Sequence, residues 1–519
     1  VHTTLSDGGG TPAEVAAAAK AAGLQFVVIT DHNTVDAKPF EGYHDGVLVL
    51  VGTEASTTAG HILGLGVADP AYRFSGDPRD VFEDFRDLGG ISFAAHPASA
   101  RPDFRFSGWD LPGPWGVEVL NGDSQARAAG WPRLLRAAAL YGVNPRYALL
   151  GSLTPPREEL ARWDALLSRR DVPAIAGADA HARLPIRKDT ALPVPSYEAM
   201  LGLMANHVLL EAPLTGDAGR DGAAILAALA RGRSYMGVDA LAPASGFFFV
   251  AEAGRERWTM GDTVAPREGL RLRAGGAFPE DTHVHILKDG QQVREAEVAV
   301  SGPGVYRAEV HVHGAEVPWI LSNPIYVFDA AAAEARSRAA SWPPVPPAPA
   351  AAEIVDAFEG ATVFEGAHDD RSTLDRDLHP TGGIDGKGAM RLSFRLGHPT
   401  AEHPHTFVAV VNPKDRDLTG RHGIVLAVKA DGEYRFHLQV RDANPASADE
   451  GTEWWFASVK TSTEWRRVAV PFERMRSINP RTDGRLDLDK VRALVIVLDK
   501  GADKPGTAGT IWLDEVGVY

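Results

Sequence analysis

The chain of 519 residues is 44% hydrophobic and 23% charged, an ordinary globular balance, and its length implies roughly two to four domains. Its 53 Lys and Arg stand against 68 Asp and Glu, and the net charge of -15 argues against a general nucleic-acid or anionic-membrane binder. With no cysteine, disulfides and thiolate zinc sites are excluded, so any metal must sit on His, Asp and Glu; no apolar run reaches membrane-span length.

The chain opens on Val1-His2-Thr3-Thr4-Leu5-Ser6-Asp7-Gly8. A histidine and a carboxylate this close, at the expected end of a first strand, suit a divalent metal better than a core. Thr11-Pro12-Ala13-Glu14 reads as a capping box with proline at the first helical position, opening a helix over about 12–22 that stops at Gly23. Residues 25–30 read as a buried strand ending in Asp31-His32, and residues 47–51 as another leading to Glu54. His61 opens a hairpin-like return through Val67. A helix over about 78–88 precedes strand 91–95, which ends in His96-Pro97. Strand 116–120 carries Glu118 and ends in Asn121, which either line a pocket or hydrogen-bond a neighbouring loop and are not read as ligands. A helical stretch near 155–168 leads to strand 173–177 and Asp179-Ala180-His181. Strands that each deliver a ligand-type residue at one end predict an α/β (β/α) barrel with its site at the C-terminal ends of the strands.

The texture changes near residue 240, where short strands and turn signals predict a small β-sandwich module over 240–329. Residues 330–352 are Ala/Pro-rich, and Trp342 to Pro347 read as a semi-rigid linker. Residues 353–519 read as a β-sandwich or jelly roll. Within it Trp454, Trp455, Trp465 and Trp512 offer either a sugar-stacking platform or core, and Asp514 is a candidate for structural calcium. His283-Val284-His285 and His311-Val312-His313 place pairs on one strand face, which can chelate, but no acid-rich motif accompanies them and solvent-facing strand histidines are expected.

Together, Asp31-His32, Glu54, His61, His96-Pro97 and Asp179-Ala180-His181 resemble the PHP (polymerase and histidinol phosphatase) superfamily over roughly the first 240 residues. That pattern begins His-x-His followed by Ser-Asp-Gly, so His2 takes the second histidine and the first is expected just before Val1. Arg231-Gly232-Arg233-Ser234-Tyr235 and the segment from Pro318 to Tyr326 resemble the carbaryl-hydrolase-like (CehA/McbA-type) branch. The C-terminal domain resembles a carbohydrate-binding jelly roll.

The resemblance implies a distorted (β/α)7 barrel over 1–239 and two or three divalent ions, Zn, Mn or Fe. His2, Glu54 and Asp179 would form a first metal site, with Glu54 bridging; Glu54, His61 and His96 a second; Asp7, His32 and His181 a third. It further implies hydrolysis by metal-activated hydroxide, with His61 or Asp179 passing a proton to the leaving group. Arg101, Arg105, Arg183, Arg187 and Lys188 follow the His96 and His181 motifs, where a phosphoryl group would want cations. The expected substrate is therefore a small-molecule or glycan-linked phosphoester. Carboxyl ester or carbamate hydrolysis is the first alternative, and a glycan-binding protein with an impaired barrel the second. An extracytoplasmic location, with a leader removed before Val1, is expected.

Overall fold

The computed structural model describes residues 1–187, 190–447, 451–479 and 481–519, without the side chains of 185, 187, 294 and 295. The backbone divides into two units: Val1–Asp69 with Gly76–Pro343, and Pro70–Ser75 with Pro344–Tyr519.

The first unit opens with helix α1 (Pro12–Ala21), where Thr11 and Glu14 form the expected capping box. Its main sheet holds seven strands: β1 (Phe26–Ile29), β2 (Gly42–His44), β3 (Val47–Thr57), β4 (Gly60–Leu65), β5 (Ile91–Ala94), β6 (Trp115–Asn121) and β7 (Ala174–Gly177). Helix α2 (Pro78–Asp87) precedes β5. Between β6 and β7 lie α3 (Gly122–Ala128), α4 (Trp131–Tyr141), α5 (Pro145–Leu150) and α6 (Arg157–Leu167). The strand order is β1-β3-β4-β5-β6-β7, with β2 paired to β3.

This pairing does not draw the expected (β/α)7 barrel. β1/β3, β5/β6 and β6/β7 are parallel, but β2/β3, β3/β4 and β4/β5 are antiparallel. The cause is local: only Thr58 and Ala59 separate β3 from β4, too short a connection for a crossover helix. Among the described residues no ladder joins β7 to β1. Side-chain amides occupy the outer edge of β7 instead. Asn323 bonds both backbone groups of Ala174, at 2.7 and 2.9 Å, and Asn206 both of Ala176, at 2.8 and 2.7 Å. Each asparagine thereby satisfies a donor and an acceptor that a neighbouring strand would otherwise take. Leu48, Leu50, Leu63, Leu65, Phe93 and Ile175 pack as the sheet's apolar core.

A second, eight-stranded sheet follows the order 205–208, 234–237, 320–322, 304–312, 282–288 and 291–295, with 263–264 and 325–327 beside it; a four-stranded sheet faces it over a core holding Phe249, Leu272, Ile286, Tyr306 and Trp319. At the start of the Ala/Pro-rich segment, Ala330–Ala339 is a helix capped by Asp329. Its Arg336 is buried, bonded to Asp171 and to the Leu167 carbonyl, so this stretch is docked.

The C-terminal unit is the expected β-sandwich. Two six-stranded antiparallel sheets enclose Phe394, Leu426, Phe436, Val440, Leu494 and Leu513. Its tryptophans do not form one platform. Trp455 belongs to the core, whereas Trp454 alternates to the outer face of one sheet and Trp512 to the outer face of the other. The Asp514 carboxylate accepts from the Ile384 and Glu515 backbones, at 3.0 and 2.7 Å, and joins no cluster of three or more potential metal ligands among the described residues.

Candidate metal centre

The main sheet brings the eight expected ligands to one end. His2 lies just past Val1, whose carbonyl accepts from Thr30 at 2.7 Å, while the His2 amide donates to Ala180 at 3.0 Å. These bonds seat it between the ends of β1 and β7. The loop behind it is held by Asp31, which is occupied elsewhere than in the cluster: it accepts from the Thr3 amide (2.6 Å), the Thr3 hydroxyl (2.7 Å) and the Ser6 hydroxyl (2.6 Å). Tyr197 fastens the same loop by donating to the His2 carbonyl at 2.7 Å. His32 follows β1 and pairs with Glu54 across an isolated parallel bridge. Because β4 runs antiparallel, its first residues lie at the same end, and His61 arrives beside Glu54.

Glu54 is the hub. One carboxylate oxygen lies 2.5 Å from His61 Nδ1 and 2.9 Å from His96 Nε2, and the other 3.2 Å from His2 Nε2. His2 Nε2 is also 3.1 Å from Asp179. Asp7 faces three histidines, His181 at 3.4 Å, His2 at 3.7 Å and His32 at 3.8 Å. Three overlapping groups have ligand atoms all within 4.8 Å of one another: His2, Asp7, His32 and His181; His32, Glu54 and His61; His2, Glu54 and Asp179. The His2 ring stacks between His32 and His181, with centroids 4.4 and 4.3 Å away.

Two observations fit this donor set to divalent metals. Both ring nitrogens of His2, with Nδ1 of His32 and of His96, are buried and make no hydrogen bond. His2 Nε2 lies close to two carboxylates yet points along neither bond direction, as ligands converging on a shared centre do. Unmet polar atoms at this depth are costly without a partner. Second, His96 and Asp179 take left-handed backbone angles, φ 26° and 50°, which non-glycine residues adopt mainly where surroundings enforce them, often at functional sites.

The electrostatics agree. Burial alone would lower His2, but the Asp179 and Glu54 carboxylates carry it up to about 9. Burial pulls His96 down as well, and Glu54, with the charges of Asp179 and Glu118, raises it to about 10. Asp7 moves against its burial to about 2, held there by His181, His32 and His2. Glu54 and Asp179 likewise stay well below the usual carboxylate range despite burial.

Glu118 and Asn121 line the site without joining the ligand groups. Glu118 accepts from the His96 amide at 2.6 Å and from Asn121 at 2.9 Å, and burial followed by the Asp179 charge pushes it up to about 7. A Cβ on Gly177 would lie 1.8 Å from a Glu118 oxygen, so any side chain there would push the Glu118 carboxylate out of place. Asn121 also reaches Asp179 at 3.4 Å, orienting that carboxylate.

The expected cations separate. Arg183 donates to the Asp7 carbonyl at 3.2 Å. Arg101 lies over the Phe104 ring (3.8 Å), and that ring packs 4.5 Å from His61. Arg105 is paired with Glu158. The Arg187 side chain and Lys188 lie outside the described residues. His311 pairs with Glu309 at 3.1 Å, and none of His283, His285, His311 or His313 joins a metal-capable group among the described residues. Arg127, on α3, was not singled out by sequence reasoning; its i,i+4 pairing with Asp123 resembles any surface helix. A cavity of about 730 Å³ runs from His2, Glu54 and Asp179 to Phe26, Val28, Met204 and Leu210, and among the described residues no Lys or Arg lines it.

Residues 341–517 match the family model "Carbohydrate binding domain (family 11)". Solved structures similar to the chain include the family 11 module from Clostridium thermocellum in complex with a β-1,3-1,4-mixed-linked tetrasaccharide, 17% identical, covering 32% of this chain and 92% of that one, TM-score 0.26. Another is the family 11 module of the C. thermocellum cellulosomal cellulase Lic26A-Cel5E, 19% identical, covering 32% and 94%, TM-score 0.26. Among curated proteins, an uncharacterized protein of Methanocaldococcus jannaschii is 36% identical over 92 residues, 17% of this chain; the match spans about half of that protein's length (53%). Residues 341–517 therefore carry the sequence pattern of the family 11 carbohydrate-binding domains.

Proposed function

We propose that the N-terminal unit is a PHP-type hydrolase that uses two or three divalent ions, Zn, Mn or Fe, to cleave phosphoesters, and that the C-terminal unit binds carbohydrate outside the cytoplasm. The observation that carries the first half is the convergence of seven imidazoles and carboxylates into three overlapping groups, with His96 against Glu54 beside them and with buried, unpartnered ring nitrogens. Bound ions would supply Lewis acidity and acidify water, offsetting charge on the reacting ester. The chain's own residues do the rest. Glu54 shares its charge among three histidines, and Asn121 and Glu118 fix Asp179 and the His96 backbone. His61, with Nδ1 against Glu54, leaves Nε2 to hand a proton to the leaving group, a role it takes in place of metal ligation; Asp179, the other candidate, is held ionised and could only accept a proton. Neutral carboxyl or carbamate esters are the second reading, favoured by the cavity beside His2 and Glu54, which no Lys or Arg lines among the described residues.

Elemental analysis, paired with hydrolysis of a nitrophenyl phosphodiester and a naphthyl carbamate, tests this reading. Two or three equivalents of metal per chain are expected, with turnover that a chelator abolishes and refilling restores. Metal-free protein, inert after reconstitution but retained by glucan, would instead leave a carbohydrate-binding protein.

The carbohydrate half is supported by the family match and by a row on one outer sheet face: Arg441 lies 3.8 Å over Trp454, and His437 packs 4.7 Å from Phe456. Trp454→Ala is expected to weaken retardation by soluble mixed-linkage β-glucan in affinity electrophoresis by about tenfold or more, as loss of an aromatic anchor does. Unchanged retardation places the sugar elsewhere.

A further inference from the structure

Helix α4 turns its hydrophobic residues outward. It buries none of its residues, whereas α2 buries Phe82 and Phe85 and α6 buries Trp163. Trp131, Leu135 and Ala139 recur at every fourth position, and Val143 continues their row just past the helix. All four are exposed, Trp131 by 78%, Leu135 by 66% and Val143 by 83%, and Tyr147 on α5 adds a ring 53% exposed. Core packing does not account for this ridge. The chain around it has the opposite sign to the whole. Against a net charge of -15, the stretch between Asp123 and Glu158 holds Arg127, Arg133, Arg136, Arg146 and Arg157 and no acid. Arg127 pairs with Asp123 and Arg133 with Glu316, which leaves the exposed Arg136, next to Leu135, to set the sign at the ridge. Beside the helix a cavity of about 350 Å³ is lined by Arg133, Arg136, Leu140, Tyr147, Leu153 and Val317.

We propose that this ridge seats the N-terminal unit on an anionic lipid surface, with Trp131, Leu135 and Val143 entering the headgroup layer and Arg136 facing lipid phosphates. An apolar helix face with a tryptophan and neighbouring arginines suits such an interface, because apolar burial and attraction to anionic lipid add there. A second copy of the chain fits less well. The 11 residues of α4 span only about 16 Å, too little to reach the roughly 800 Å² per partner of a stable interface. A two-fold axis would also set two acid-free, arginine-bearing stretches face to face. Such docking is independent of the reaction at the metal centre.

Co-sedimentation of the full chain with phosphatidylcholine vesicles, with and without phosphatidylglycerol, tests the docking. Native protein is expected to sediment with the anionic vesicles and to be released by salt. The double variant Trp131→Ser, Leu135→Ser is expected to partition about tenfold or more weakly, because two large apolar side chains no longer leave water. Both positions are exposed, so its melting temperature should match native. Arg136→Ala is expected to lose about fivefold on anionic vesicles and nothing on neutral ones. Equal partitioning of native protein and the double variant overturns the docking, as does equal binding to the two kinds of vesicle. Native protein that stays in solution with both overturns it too; a dimer that Leu135→Ser dissociates would then make the ridge a contact between copies.

Discussion

Glu54→Gln is expected to strip at least one metal equivalent from the chain and to lower hydrolysis by about 10²–10³-fold or more. The substitution keeps the side chain's size, so the result reports charge and ligation. In the native site one carboxylate faces His61, His96 and His2, and it is 2% exposed. Closely spaced cations at such a hub repel one another, and a shared anion is what lets them coexist. A neutral amide offers one weak oxygen donor and an N–H₂ that points a dipole the wrong way. The metal-free protein also loses by the change, because this carboxylate is the main group that protonates His96 and, with Asp179, one of the two that protonate His2. Removing one partner of a buried charge pair leaves the other uncompensated, at a cost of about 3–5 kcal/mol. Metal content by elemental analysis and turnover on the preferred ester decide the matter. Full metal content with native turnover in Glu54→Gln would mean that Glu54 does not bridge the metals.

How far this centre could be read in advance depended on the kind of signal. His32, His96, Asp179 and His181 follow apolar runs, and a strand's end is a local pattern; their meeting then follows from placing those ends on one side of a sheet. His61 is different. It meets Glu54 because the β3–β4 connection is two residues long and turns the chain back, which the hairpin-like spacing showed. Sheet closure was not legible. Whether β7 pairs with β1 depends on Asn206 and Asn323, about 30 and 150 residues away, and no periodicity announces an asparagine acting as a strand edge. The tryptophans are the converse case. Adjacent residues in a strand face opposite ways, so Trp454 and Trp455 could not have shared a platform.

Asp503→Asn is expected to stabilise the C-terminal unit at neutral and alkaline pH and to leave it unchanged near pH 4. Asp503 has no exposed surface, and burial, reinforced by the neighbouring Asp499 charge, pushes its carboxyl up to about 8 against the opposing pull of Arg435. One oxygen accepts from the Arg435 amide at 3.1 Å, and the other has no hydrogen-bond partner. The direction follows from proton counting. The folded state holds this proton up to about pH 8, whereas the unfolded chain releases it near its ordinary value of 3.8. Between those values the folded state binds more protons, so stability falls as pH rises. The contribution is fully present below pH 3.8 and lost by the time pH has passed about 8. At pH 7 the loss is bounded by roughly 4 kcal/mol, from about 1.4 kcal/mol per pH unit, and relaxation around the carboxylate reduces it. An asparagine keeps an acceptor for the Arg435 amide and carries no charge at any pH. With about 2–4 °C of melting temperature per kcal/mol for a unit of this size, the variant should melt roughly 5 °C above native at pH 8 and level with it at pH 4. Scanning calorimetry of the full chain across that range reads the difference. A gain of the same size at both ends would mean that packing, and not a buried charge, sets the stability at this position.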